Sequence, residues 1–414
     1  MRAPPRPASG PDAEALPTPD ATALEHVRRV EDAVRRRLAE GPLGFADYMR
    51  IALYEPGLGY YMAGAPKFGS GGDFVTAPEL GPLFGRALAV QCREVLEALV
   101  ADGETPAILE LGAGTGALAE SVLGALADVR DLRYSILEPS AELAHRQRER
   151  LGTALGPEAL ARVSWLGTLP EGFAGVVLAN EVVDALPVER FVKSGDGIGE
   201  CVRVETVERA AAEEGAASPF EDAFGTAPPA LVEALARLEA DLPAPLPAGY
   251  ASELNAFAGP WIRALAGALR RGVAIVIDYG YPRHEYYLPE RGRGTLACHY
   301  RHRMHDDPYR WPGLQDITAH VDFTALAEAA IDAGLELSGY TTQSAFLLGC
   351  DLLGLAEAAR DGLERETDRI ALANAVKTLM LPGEMGERFQ VAAFSRGHDP
   401  ALRGFSVQDL SHRL

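Results

Sequence analysis

The seven residues Glu110-Leu111-Gly112-Ala113-Gly114-Thr115-Gly116 carry the densest chemical signal in the chain. They follow the apolar run AILEL (107–111) and precede a helical stretch to about residue 127, so they read as a strand-to-helix turn. Glycines at such a turn let the backbone bend sharply and approach a ligand closely. The helix N-terminus adds free N–H groups and a partial positive charge. The run GAGTGA also satisfies the dinucleotide pattern G-x-G-x-x-G/A, so the turn alone does not name its ligand. Glu110 separates the two readings. A carboxylate at the strand tip repels a pyrophosphate and favours a ligand with an ammonium and a sulfonium, as S-adenosylmethionine has and NAD lacks. Glu138 ends the next strand and can accept hydrogen bonds from ribose hydroxyls, which suits either cofactor.

Further along, Trp165-Leu166 ends a third strand, where the side chains either flank an adenine ring or pack in the core. Asn180-Glu181-Val182-Val183-Asp184 follows a fourth strand, at the strand ends where such sheets bind ligands. Glu181 and Asp184 are the candidate catalytic pair, able to hold a cationic acceptor by charge-assisted hydrogen bonds. The plainer reading makes Asp184 a helix cap and Glu181 a solvated carboxylate. His299, His302, His305 and His320 crowd together with Asp306, Asp307, Asp316 and Asp322. Their spacing matches no standard zinc pattern, so the expectation is a structured loop on the acceptor side and no metal site.

The elements that position these residues alternate. Strands are expected at 107–111, 134–138, 162–166 and 175–179, with helices to about 127 and from 139, then a hairpin at 188–206 around Gly195-Asp196-Gly197. After an Ala-, Glu- and Pro-rich insertion (208–249), a helix near 253–271 and the strand VAIVIDYG (273–280) resume the pattern. A loop to about 316, a helix at 322–333, a strand near 335–341, helices within 344–381 and a strand at 388–394 follow. The expected class is α/β: a Rossmann-like, mostly parallel sheet of seven strands with an N-terminal helical and lid region. The expected division is a disordered tail at 1–20, the helical and glycine-rich region at 21–100, a ligand-binding core at 101–395 with insertions at about 188–250 and 281–320, and a tail at 396–414.

Composition narrows the partners. The 414 residues carry a net charge of −20, which repels phosphate backbones and argues against nucleic acid. A cationic partner, such as an arginine-bearing protein, suits an acidic surface better. Cys92, Cys201, Cys298 and Cys350 are far apart with no C-x-x-C pair, which suits a reducing compartment, here the bacterial cytoplasm. No apolar run approaches the ~18 residues of a membrane span. Residues 1–20 lack the apolar core of a signal peptide. No motif signals a particular oligomeric state.

Four separated blocks then resemble a known family: residues 44–85, the glycine turn, NEVVDALPVERF (180–191) and DITAHVDF (316–323) are similar to the MidA-type methyltransferases. The resemblance runs from roughly 25 to 395. It implies a class I methyltransferase core, S-adenosylmethionine as cofactor, and methylation of a protein arginine. In the family's mitochondrial members the product is symmetric dimethylarginine on a respiratory complex I subunit. It also implies that Gly112, Gly114 and Gly116 bind the cofactor and Glu138 its ribose, and that Asn180, Glu181 and Asp184 form an acidic post-strand motif. The block Gly71–Glu79, with Gly72, Thr76 and Pro78, looks like a lid over the cofactor. The 208–249 insertion and the N-terminal tail match no family motif. Two other readings remain at this point: a cofactor-binding assembly factor with little catalysis, and a small-molecule methyltransferase.

Overall fold

Short runs of Val, Ile, Leu and Ala become the central strands because both faces of the sheet are covered. The computed structural model describes residues 16–63, 76–194, 197–206, 218–398 and 400–414. Seven strands form the main path of the sheet: β1 (Ala107–Leu111), β2 (Arg133–Leu137), β3 (Val163–Leu166), β4 (Phe173–Asn180), β5 (Leu269–Tyr281), β6 (Glu336–Thr342) and β7 (Phe389–Arg396). Their order is β6-β7-β5-β4-β1-β2-β3. The pairs from β5 to β3 are parallel, and β7 runs antiparallel to both β5 and β6. The expected seven-stranded sheet gains one short member, since Val321–Asp322 pairs with the end of β5 and makes it eight-stranded.

Alternation along each strand splits the side chains between two cores. On one face Ile108, Val176, Leu178, Val273, Ile275 and Val391 pack against the helix Leu83–Ala101 (α3) and the helix Ala117–Ala125 (α4). On the other, Leu109, Val177, Ala274, Val276 and Ala392 meet the helices Ala258–Ala268 and Phe323–Asp332. Each fully buried Val, Leu or Ile contributes about 1.5–3 kcal/mol, so the sheet is a rigid base for its loops. Strand order reverses between β1 and β4. This is the switch point where the loops leaving neighbouring strands diverge and open a crevice.

The region before the sheet builds a second layer. Asp20 caps the helix Ala21–Ala39 (α1) by accepting the Ala23 N–H at 2.8 Å. Leu43–Gly44 joins the hairpin Glu189–Ser194 and Gly197–Thr206 in a five-stranded sheet with Phe220–Thr226 and Ala251–Leu254. The helix Phe45–Tyr54 (α2) inserts Phe45 and Tyr48 into a core shared with Phe220, Tyr309 and Ile317. The expected loop before residue 316 holds strands instead: Ala297–Tyr300, Arg303–His305 and Asp316–Thr318 form a small antiparallel sheet. Packing of α2 against that sheet brings N-terminal residues over the carboxyl ends of β1 and β4. Of the expected lid, residues 71–75, Gly72 included, lie outside the described residues.

Candidate functional site

A cleft of about 350 Å³ opens over the carboxyl ends of β1, β2, β4 and β5. Its floor is the glycine turn. Gly112 has φ +66°, which favours glycine, and a Cβ there would stand a tight 3.1 Å from Val182 Cγ2. Gly114 has φ +53° and also lines the cleft, whereas Gly116 caps α4 at φ +86° and does not. Thr115 Oγ1 donates to Glu79, and Arg150 Nη1 donates to Thr115 Oγ1 at 2.8 Å and to Glu79 at 3.3 Å. These bonds tie the turn to the segment carrying Thr76, Pro78 and Glu79, all three of which face the cleft.

Glu110 is buried, and Tyr134 donates its hydroxyl to Oε2 at 2.7 Å. Burial raises its carboxyl to about 7, against the tyrosine hydrogen bond that favours ionisation. Glu138 accepts the Ser140 N–H at 2.8 Å and Gln147 Nε2 at 3.1 Å, which holds the carboxylate at the rim of the cleft. Trp165 and Leu166 are not among the cleft's lining residues. The Trp165 indole donates to Gln147 Oε1 at 2.9 Å, and the Arg148 guanidinium lies over its ring. Its role there is to fix Gln147, which in turn donates to the Gly114 carbonyl at 2.9 Å.

The acidic turn after β4 is held from below by a residue that sequence reasoning missed. Asp278, on β5 and fully buried, accepts the N–H groups of Val182, Val183 and Asp184 on Oδ2 and that of Tyr279 on Oδ1. Glu181 takes φ +53° at the start of this turn, and its own N–H reaches Ile277 O at 2.9 Å. Asn180 Nδ2 donates to Glu181 Oε1 at 2.9 Å, and the Ala77 N–H also bonds the Glu181 carboxylate. Burial first, and then Asp278 and Asp316, push Glu181 up to about 8. Asp184 is raised well above its usual range by burial and by the same acidic neighbours. It is no helix cap: its side chain lines the cleft, and no helix starts beside it.

Aromatic residues complete the wall. Tyr54, Tyr61 and Tyr279 line the cleft beside His299 and Asp316. Burial holds the His299 imidazole down at about 4, so it is neutral near pH 7. Of the His- and Asp-rich segment, His299, Asp316 and Thr318 reach the cleft. No group of three or more His, Cys, Asp or Glu side chains arranged to hold a metal occurs among the described residues. The cleft therefore presents six carboxyl groups, from Glu79, Glu110, Glu138, Glu181, Asp184 and Asp316, with no Lys or Arg among its described lining residues. Asn180 Oδ1 is buried there with no hydrogen-bond partner among the described residues. Such a site suits cationic ligands that bring their own donors.

Known proteins resemble this chain in sequence and fold. A family model for S-adenosyl-L-methionine-dependent methyltransferases matches residues 87–341, more than half of the chain. The mitochondrial protein arginine methyltransferase NDUFAF7 of Danio rerio is 28% identical over 380 residues, covering 85% of this chain and 83% of its own. The Drosophila melanogaster homologue is 30% identical over 405 residues, covering 86% of each. A Burkholderia thailandensis protein solved with S-adenosyl-homocysteine bound superposes with a TM-score of 0.86 at 42% identity, over 97% of this chain and 100% of that one. No described helix is long and apolar enough to cross a membrane.

Proposed function

We infer that this chain, which belongs to the MidA-type family of S-adenosyl-L-methionine-dependent methyltransferases, methylates arginine on a protein acceptor such as a subunit of respiratory complex I. Its cofactor is S-adenosylmethionine. The residues present fit that molecule: a buried carboxyl at Glu110 suits its ammonium, Glu138 suits ribose hydroxyls, and Asn180 Oδ1, which has no partner among the described residues, can accept a donor. When bound, S-adenosylmethionine supplies a methyl group already activated by its sulfonium. What remains for the chain is to orient the acceptor and to balance its charge.

The observation that carries the arginine reading is that Glu181, Asp184 and Asp316 line one cleft with Tyr54, Tyr61 and Tyr279, with no Lys or Arg among the described lining residues. A guanidinium has five donors in one plane and a pKa above about 12, so it must arrive charged and be held by carboxylates. Glu181 stands at the tip of β4 and would hold the acceptor nitrogen. Asp184, three residues further on in the same turn, shares the load. Proteins named as arginine methyltransferases at 28% and 30% identity support the same class of acceptor.

The experiment is mass spectrometry of arginine methylation in a deletion strain and its complemented parent. Methylarginine sites that vanish on deletion and return with the wild-type gene support the reading. Their absence, with turnover on a metabolite, would make the protein a small-molecule methyltransferase. Return of every site with a catalytically dead variant would leave an assembly factor.

A further inference from the structure

Asp316 lies far from the acidic turn in sequence and faces it in space. It starts the strand Asp316–Thr318, is buried, and lines the same cleft as Glu181 and Asp184. Tyr61 donates its hydroxyl to the Asp316 carboxylate, 2.9 Å from each oxygen, and the Ile317 N–H bonds Oδ1 at 2.9 Å. The Tyr61 ring stacks on Tyr54 with centroids 5.4 Å apart and planes 23° apart. Tyr54 in turn donates to the carbonyl of Ala185 at 2.9 Å, next to Asp184. Two stacked rings thus bridge the two acidic loops and fix the distance between them.

We propose that Asp316 is an acceptor-binding carboxylate that selects a guanidinium, with Tyr61 as its positioning residue and the Tyr54–Tyr61 pair as a flat wall beside it. This inference rests on the arginine reading above. A planar guanidinium can engage carboxylates on two edges at once while its face lies along an aromatic ring. An ammonium offers three donors in a cone and matches neither feature. Glu181 and Asp184 come from the turn after β4 and Asp316 from a separate strand, so the cleft draws its carboxyl groups from two elements, as binding of two guanidinium edges requires. The bond from Tyr61 takes up rotational freedom of the Asp316 carboxylate before any acceptor arrives, which lowers the ordering cost on binding.

The test uses the full-length protein and a bisubstrate analogue in which the adenosine of S-adenosylhomocysteine is joined to an alkylguanidine. Its partner compound carries the uncharged, isosteric alkylurea. Calorimetric titration is run on wild type, Asp316→Asn and Tyr61→Phe, with S-adenosylhomocysteine as control. Wild type is expected to prefer the guanidine by about tenfold or more, the size of a charge-assisted hydrogen bond. Asp316→Asn should bring the preference close to one while S-adenosylhomocysteine binds as before, and Tyr61→Phe should narrow it in part. A wild-type preference retained in Asp316→Asn overturns the inference and leaves the arginine reading standing. No preference in wild type overturns the arginine reading itself. If Asp316→Asn melts below the assay temperature, Tyr61→Phe decides, and an unchanged preference there counts against the proposal.

Discussion

Asp278 lies beneath the backbone of Asp184 and accepts its N–H at 3.2 Å on the same oxygen that takes the N–H groups of Val182 at 3.2 Å and Val183 at 2.8 Å. One carboxylate oxygen therefore shapes the whole turn that carries the candidate acceptor residues. Burial raises Asp278 to about 7, with the backbone donors pulling the other way.

Replacing Asp278 with Ala leaves three converging donors without an acceptor. The expected cost is about 1–3 kcal/mol of stability, with turnover reduced beyond what the lower stability explains. Thermal melts set beside single-turnover rates at a temperature where the variant is folded test this. Wild-type turnover would show that the turn holds its shape without Asp278.

Gly114→Val should abolish cofactor binding and leave the sheet intact. Gly114 sits at φ +53°, where a non-glycine residue costs roughly 1–2 kcal/mol and a β-branched one more. The new side chain would also occupy the cleft floor. Calorimetric titration with S-adenosylmethionine is the measurement, and wild-type affinity in the variant would remove Gly114 from the cofactor loop.

Glu110 predicts a pH dependence. Its folded value of about 7 lies above the ordinary 4.5, so in the ligand-free protein ionising it works against the fold, and stability from this group falls as pH rises from 4.5 through 7. Cofactor binding has the opposite sign. A cationic ligand favours the ionised carboxylate, so affinity for S-adenosylmethionine should weaken as pH falls below 7, by up to about tenfold per unit. Glu110→Gln should bind more weakly at pH 8 and lose that slope. Equal slopes in both proteins would exclude Glu110 as the origin, and thermal stabilisation by NAD equal to that by S-adenosylmethionine would argue against its role in ligand choice.

Much of this was legible in the sequence for local reasons. AILEL and the glycine turn announce β1 and the cofactor loop because strand, turn and ligand chemistry fall within ten residues. β4 and β5 read as strands because burial on both faces leaves nearly unbroken apolar runs. What escaped notice was non-local. Tyr61 meets Asp316 across 255 positions and Tyr54 meets Ala185 across 131, and no periodicity encodes such pairings. Asp278 was hidden for another reason: within VAIVIDYG it reads as one polar residue in a core strand, and only the parallel register of β4 and β5 puts it under the acidic turn. Trp165 stands at a strand end as expected, yet its indole is turned to Gln147 on the helix Ala141–Leu160.

The central claim is that the acidic turn serves the acceptor and the glycine turn serves the cofactor. Glu181→Gln separates them most directly, because it removes the carboxyl that a bound cation would draw into its ionised form and keeps shape and an oxygen for the Asn180 and Ala77 donors. The measurement is single-turnover methylation of deletion-strain proteins with radiolabelled S-adenosylmethionine, paired with calorimetric titration of the cofactor. The account predicts unchanged cofactor affinity and a rate reduced about 10- to 150-fold, the worth of one charge-assisted hydrogen bond in the transition state. An unchanged rate, or a lost affinity for S-adenosylmethionine, would contradict it.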